Sequence, residues 1–293
     1  MDHRILGSTK MLALFGSPVG HSGSPTMYNF SFWHDNIDYA YLAFDVNVEK
    51  MEKAFEAIRV LGIVGGNFTM PCKNIAAKLV DKLSPAAEIV GACNTFINEN
   101  GVITGYITDG EGFVLNLKEN GVEINDKKIV VLGAGGAATA IQVQLALDGA
   151  KEIHVFNNND DFIEKAKVTR EKILKKQSEC NITINFLEDK ELLAKKIKEA
   201  DILINGTIIG MKPYHEISLV SKEMLHKNLV VADTVYNPVK TKLILEAEEI
   251  GCKTIDGTGM LLCQGIINYK LFTGKDMPVE ELEKFKKNNE GRK

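Results

Sequence analysis

The stretch that most constrains this chain is Lys128-Ile129-Val130-Val131-Leu132-Gly133-Ala134-Gly135-Gly136-Ala137-Ala138. Its four consecutive apolar residues, three of them β-branched, predict a strand buried on both faces. Glycines follow at once, and then an apolar helical pattern: Ala140, Ile141, Val143, Leu145, Ala146 and Leu147. Strand, glycine turn and helix carry the spacing Gly133-x-Gly135-x-x-Ala138, which fits the dinucleotide fingerprint. In that pattern the first glycine permits a tight turn and the second lets backbone approach a pyrophosphate. The small third residue lets helix and strand pack closely. The helix N-terminus offers N–H groups and a partial positive charge to phosphates. Gly133, Ala134, Gly135, Gly136 and Ala137 are therefore candidate cofactor contacts. The plainer alternative is a glycine-rich turn without a ligand.

The chain has 293 residues, a length that suggests about two domains. A net charge of −4 with scattered lysines gives no electrostatic case for nucleic acid or an acidic membrane. The C-terminal Lys284, Lys286, Lys287, Arg292 and Lys293 read as a solvated helix end. No apolar run approaches the ~18 residues that span a bilayer, and no apolar signal region opens the chain. A cytoplasmic location is expected. The cysteines (Cys72, Cys93, Cys180, Cys252, Cys263) are scattered and form no CxxC. They predict reduced thiols and no metal site, with Cys72 a bystander.

Met11–Phe15 predicts a first strand, running into a loop of turn formers at 16–25. Ser24 and Pro25 are expected to cap and open a helix through Trp33. A strand at 39–46, a helix at 48–61 and a strand at 62–67 follow. The next predicted elements are helices to Val80 and after Ser84-Pro85, then a hairpin about Asn98-Glu99-Asn100-Gly101. From Asp109 a helix leads into the fingerprint strand. Strands at 152–156, 182–186, 202–205 and 229–235 then alternate with helices at 162–176, 190–200 and 241–250. This alternation predicts a doubly wound parallel sheet. A short strand at 252–256 and helices at 260–272 and 279–287 complete the chain.

In an open α/β sheet the ligand crevice lies at the carboxyl ends of the strands. The turns Asn205-Gly206-Thr207, Tyr236-Asn237-Pro238 and Asp256-Gly257-Thr258-Gly259 each follow a strand and are placed to touch a cofactor. The second nucleotide strand ends in Asn157-Asn158-Asn159-Asp160-Asp161, with no Arg or Lys before Lys165. An acidic residue there accepts from a free ribose 2′-hydroxyl and repels a 2′-phosphate, so NAD is expected over NADP. The alternative is that Asp160 merely caps the next helix. In the first hundred residues, Ser22, Ser24, Asn67, Thr69 and Lys73 cluster in two post-strand loops. They suit a small polar ligand with hydroxyls and a carboxylate. A partly desolvated Lys73 could exchange protons with a hydroxyl. Asp109 stands at the junction of the two segments and makes a Lys–Asp pair conceivable. Taken singly, Lys73 reads as a surface lysine and Asp109 as a helix cap.

These stretches together resemble the shikimate dehydrogenase family. The family's His-Ser-x-Ser-Pro loop is met by His21-Ser22-Gly23-Ser24-Pro25, and its Asn-x-Thr-x-Pro-x-Lys loop by Asn67-Phe68-Thr69-Met70-Pro71-Cys72-Lys73. Gly91-Ala92-Cys93-Asn94-Thr95, Gly105-Tyr106-Ile107-Thr108-Asp109-Gly110, Tyr236-Asn237-Pro238 and the run from Asp256 to Gly265 also match. The resemblance implies an α/β protein of two domains. A substrate domain at 1–108 is completed by helices at 258–293, and a Rossmann-type doubly wound nucleotide domain spans 109–257. It implies NAD(P)-dependent oxidation of shikimate at C3 to 3-dehydroshikimate, with quinate as a further substrate. Ser22 and Ser24 would bind the carboxylate. Thr69, Asn94, Asp109 and Gln264 would bind ring hydroxyls, and Lys73 with Asp109 would handle the hydroxyl proton. Val235, Tyr236 and Gly257 would lie near the nicotinamide, with Tyr236 also reaching substrate. Asn157, Asn158, Asp160 and Thr207 would complete the cofactor contacts.

There are departures. Ile107 stands where the family has Asn. The Asn-Arg-Ser/Thr of NADP-using members is absent, and residues 157–162 look more like the quinate/shikimate branch, without that branch's basic pair. Both points favour NAD. Two rival classes remain: an enzyme like methylenetetrahydrofolate dehydrogenase, and a non-catalytic nucleotide-binding regulatory protein of the same fold. Intact Lys73 and Asp109 argue against the second. The chain is expected to act as a monomer or homodimer on a small molecule.

Overall fold

The computed structural model describes residues 5–177 and 179–289. Arg292 and Lys293 of the basic C-terminal run lie outside them. The chain forms two compact units: residues up to Thr108 together with those from Gly265 onward, and residues Asp109–Gln264.

The first unit runs β1 (Lys10–Gly16), α1 (Ser24–His34), β2 (Tyr39–Asp45), α2 (Met51–Val60), β3 (Gly65–Phe68), α3 (Lys73–Leu79), β4 (Lys82–Leu83), α4 (Pro85–Val90), β5 (Thr95–Glu99) and β6 (Val102–Tyr106). Its six-stranded sheet has the order β2-β1-β3-β5-β6-β4. Strands β1, β2 and β3 are parallel, and β5 runs antiparallel to β3 and β6. The hairpin expected about Asn98–Gly101 is therefore present. Ser84 caps α4, accepting from Ala87 N, and Gly91 ends it in the left-handed conformation. At α1 the expectation was one residue off. Gly23 is the N-cap and makes no side-chain bond, while Ser24 is already helical. The Ser22 hydroxyl, one residue before the N-cap, accepts from Ser24 N at 3.3 Å. On β2, the Tyr41 N–H and C=O point away from β1, and the Asn29 side-chain amide pairs with both, at 2.7 and 2.8 Å.

The second unit runs α5 (Asp109–Glu119), β7 (Lys128–Leu132), α6 (Gly136–Leu147), β8 (Glu152–Asn157), α7 (Asp161–Lys176), β9 (Asn181–Phe186), α8 (Lys190–Glu199), β10 (Ile202–Asn205), β11 (Val230–Asp233), α9 (Lys242–Ile250) and β12 (Lys253–Ile255). The strand order is β12-β11-β10-β7-β8-β9, parallel throughout. The order reverses between β7 and β10, which is where a doubly wound sheet opens its crevice. Residues 129–132 are fully buried, as their apolar run predicts.

Helix α10 (Thr258–Thr273) and helix α11 (Val279–Asn289) close the chain. From sequence, the returning segment begins at Thr258. In the structure the division falls inside α10. A Cβ on Gly259 would meet the Asn116 side chain and one on Gly112 would meet the Gln264 backbone, so the first turns of α10 sit against α5. Beyond them, Gly265 faces Met27, Tyr269 stacks on Phe32, and Phe272 meets Tyr28 edge to face. Among the described residues no helix is long and apolar enough to cross a membrane.

Candidate active site

In the second unit the site grows from the β7–α6 turn. Gly133 adopts φ +103, and a Cβ there would lie 2.7 Å from the Thr207 methyl, so glycine is required on both counts. Its N–H donates to Phe156 O at 2.7 Å. Side chains at Gly135 or Gly136 would meet nothing within 4 Å, and Gly136 and Ala137 are exposed. The first turn of α6 thus presents bare backbone to solvent at the crevice, a cradle that fits a pyrophosphate.

The turn after β8 is tied to this loop. Asn157 is buried; its Oδ1 accepts from Ala134 N at 3.0 Å, and its Nδ2 donates to Asn158 O and to Asp160 Oδ1. Asn157 is thus a strut between the fingerprint and the β8 turn. Asp160 caps α7, its Oδ1 accepting from Phe162 N at 2.9 Å. Asn158 is exposed beside it.

At the next strand end Asn205 is saturated. Its Oδ1 accepts from the Thr207 N–H and hydroxyl, and its Nδ2 donates to Ile209 O and Asp233 Oδ1. Val235 N also donates to Asp233. Gly257 lies against this turn: a Cβ there would fall 2.5 Å from Thr234 O and 2.6 Å from Val235 O. Tyr236, next along, is exposed. Thr207, Val235 and Gly257 therefore gather at the carboxyl ends of β10 and β11. Asp109 opens α5, and the Gln264 amide donates to its Oδ1.

In the first unit two loops meet. Ser17 N donates to Met70 O, Thr69 N donates to Phe15 O, and the Thr69 methyl lies where a Cβ of Gly16 would be. Ser22, Ser24, Thr69 and Lys73 all lie on these loops or on the first turns that leave them. Lys73 is half-buried at the start of α3, its carbonyl accepting from Cys93 N. Burial pushes the Cys93 thiol up to about 12 despite the opposing pull of the Lys73 ammonium. Cys72 is buried with Sγ on Val46 O, and burial raises its pKa. Asn94 sits in a buried polar network. Its Oδ1 accepts from Thr108 N at 2.9 Å, which fixes its amide and turns Nδ2 into the donor face. The Thr95 hydroxyl joins Asn67, Asn94, Thr108 and Asn268, and Tyr41 and Tyr28 extend the network at either end. Lys73 and Asp109 belong to different units.

Asp233, Gly112 and Asn268 were not singled out from sequence. Asp233 leaves one signal, a charged residue ending the apolar strand Val230–Asp233. Among the described residues no three His, Cys, Asp or Glu side chains group as metal ligands.

A doubly wound parallel sheet with a glycine cradle, joined to an α/β unit with hydroxyl and ammonium groups on its post-strand loops, defines a two-unit protein of the dinucleotide-dependent dehydrogenase class. Residues 14–96 match the shikimate dehydrogenase substrate binding domain and residues 257–284 the shikimate 5'-dehydrogenase C-terminal domain. A shikimate dehydrogenase (NADP(+)) of Listeria monocytogenes (serotype 4b, strain F2365) is 47% identical over 284 residues, covering 97% of each chain. A quinate/shikimate dehydrogenase of Escherichia coli O139:H28 is 43% identical over 272 residues, covering 92% of this chain and 94% of its own. The crystal structure of the Listeria monocytogenes shikimate 5-dehydrogenase with shikimate and NAD superposes with a TM-score of 0.93 at 46% identity, covering 97% of this chain and 99% of its own. The chain belongs to the shikimate dehydrogenase family. These matches favour the dehydrogenase reading over both rival classes. Their names leave the expected NAD preference open, because the curated Listeria relative is named for NADP(+) while solved relatives hold NAD or NADP(+).

Proposed function

We propose that this protein is an NAD(P)-dependent shikimate dehydrogenase that prefers NAD and also accepts quinate. The observation that carries the reading is the placement of Lys73 and Asp109, each at the first residue of the helix that follows a strand loop. Residues 1–108 with the returning helices serve as the substrate domain and 109–257 as the nucleotide domain.

A bound nicotinamide cofactor supplies hydride acceptance from, or donation to, C3 of the substrate. The residues of the chain do the rest. Ser22 and Ser24 hydroxyls hold the carboxylate. Asn94, its amide orientation set by Thr108, donates to a ring hydroxyl oxygen, and Thr69 and Gln264 contact others. As C3–OH becomes a ketone, the hydroxyl proton passes to the Lys73/Asp109 pair, and in reduction it returns. The Gly133–Ala137 cradle and Thr207 bind the dinucleotide, and Val235, Tyr236 and Gly257 line its nicotinamide end. The NAD preference rests on Asn158 and Asp160, with no cation before Lys165 to meet a 2′-phosphate. Initial rates with shikimate or quinate against NAD or NADP test both parts. Turnover of shikimate with NAD supports them together. A strong NADP preference keeps the enzyme class and overturns the Asp160 argument. No turnover in any pairing overturns the function.

A further inference from the structure

Outside the residues given roles above, the described part of the second unit holds a buried carboxylate, two of whose partners, Asn205 and Val235, lead to the cofactor side of the crevice. Asp233 ends β11 and is fully buried. Its Oδ1 accepts from Asn205 Nδ2 and from Val235 N, both at 2.9 Å, and its Oδ2 accepts from the Thr241 hydroxyl at 2.7 Å. Asn205 has no orientational freedom left, since both its amide protons and its oxygen are engaged. Its oxygen holds Thr207 through N–H and hydroxyl, and the Thr207 methyl occupies the space that Gly133 leaves open. One carboxylate thereby fixes Val235 directly, Thr207 through Asn205, and the seat of the glycine loop beyond.

We infer that Asp233 is a positioning residue of the cofactor half of the site, holding the Thr207 turn and the Val235 amide where the dinucleotide docks. The inference rests on the proposed function. Its chemistry requires an acceptor rather than a charge. An amide side chain at 233 offers Oδ1 to Asn205 and Val235 and turns its NH₂ toward the Thr241 oxygen. Burial raises the Asp233 pKa to about 6, against the hydrogen-bond donors that pull it down, so the neutral side chain is tolerated in this place. Asp233→Asn is therefore the conservative variant that retains the positioning, and Asp233→Ala the one that removes it. Thr241→Val removes the hydroxyl that donates to Asp233 and caps α9 at Ile244 N, and alters no residue placed against the cofactor.

The test is calorimetric titration of the full-length protein with NADH, together with amide hydrogen exchange at Thr207 and Val235, for wild type and the three variants. The expected result is NADH affinity lowered about tenfold or more in Asp233→Ala and kept within about threefold in Asp233→Asn, with shikimate KM nearly unchanged in both. Exchange at Thr207 and Val235 should quicken in Asp233→Ala, and to a smaller extent in Thr241→Val. If Asp233→Ala does not fold, Thr241→Val carries the test: faster exchange confined to the α9 start near Ile244 overturns the inference. A folded Asp233→Ala that binds NADH as wild type does overturns it too. Wild-type protein that binds no dinucleotide overturns the functional reading and the cofactor role with it, whatever the exchange pattern.

Discussion

Gly112→Ala places a methyl group against the backbone of α10. The new Cβ would lie 2.8 Å from Gln264 N, 2.9 Å from its Cα and 3.0 Å from its Cβ, where ordinary contact begins at 3.4 Å. Helix α10 must retreat at Gln264 by 3.4 − 2.8, about 0.6 Å, because backbone atoms cannot swing aside. Overpacking of this kind costs about 1–3 kcal/mol. Alanine in a helix interior returns about 1 kcal/mol over glycine. The net loss of stability is then about 0–2 kcal/mol, readable as a shift in urea midpoint. Activity should suffer more. The retreat draws the Gln264 amide off Asp109, and a hydrogen bond to a carboxylate is worth about 1.5–3 kcal/mol. At about 1.4 kcal/mol per tenfold, kcat/KM should fall by about ten- to a hundredfold. Gln264→Ala is the comparator. It should give a similar loss of kcat/KM without the packing defect. Gly112→Ala protein that keeps kcat/KM within about twofold of wild type while losing the expected stability would refute the reasoning. It would mean that Gln264 reaches Asp109 by side-chain adjustment alone.

Three further outcomes are expected. Lys73→Ala should lower kcat by about 10²–10⁴-fold with a smaller change in shikimate KM, as steady-state kinetics will show; an unchanged kcat removes Lys73 from proton transfer. Thr95→Val should cost about 1–3 kcal/mol in urea unfolding, because the donors and acceptors around it are sealed from water, and Thr95→Ser should restore most of it. Stability against pH should show two opposed slopes. Burial, reinforced by Lys196, lowers the pKa of His154 against the pull of Glu152. The unfolded chain therefore binds the extra proton first, and stability is lost as pH falls below the usual histidine range. Asp233 is raised from 3.8 to about 6, so the folded state binds its proton more tightly and stability falls as pH rises through that window. Asp233→Asn should abolish that second slope and leave the first; an unaltered pH profile refutes the assignment.

The sequence made local features legible and left distant ones hidden. The β7 run, the glycine turn, the Ser84 cap and the Asn98–Gly101 hairpin each depend on residues within a turn or two of one another, where periodicity and capping chemistry act. The same locality made the capping role of Asp160 foreseeable. Asp233 was not, because its partners Asn205 and Thr241 lie 28 and 8 residues away and only sheet order brings them together. The same holds for Gln264 and Asp109, which are 155 residues apart. The requirement for glycine at position 112 comes from a helix that arrives at the end of the chain, so no pattern around 112 carries it. Two-residue β4 is too short to show any alternation.

The amide of Asn29 has a consequence for how this protein meets its neighbours. A sheet grows by offering unsatisfied peptide groups, and an outermost strand is the usual template for a foreign one. Here a side chain from the preceding helix imitates the peptide unit of an absent seventh strand at the middle of β2. An incoming segment would first have to break two good hydrogen bonds before forming its own. At the Tyr41 position of this edge an incoming strand therefore meets a peptide site already filled.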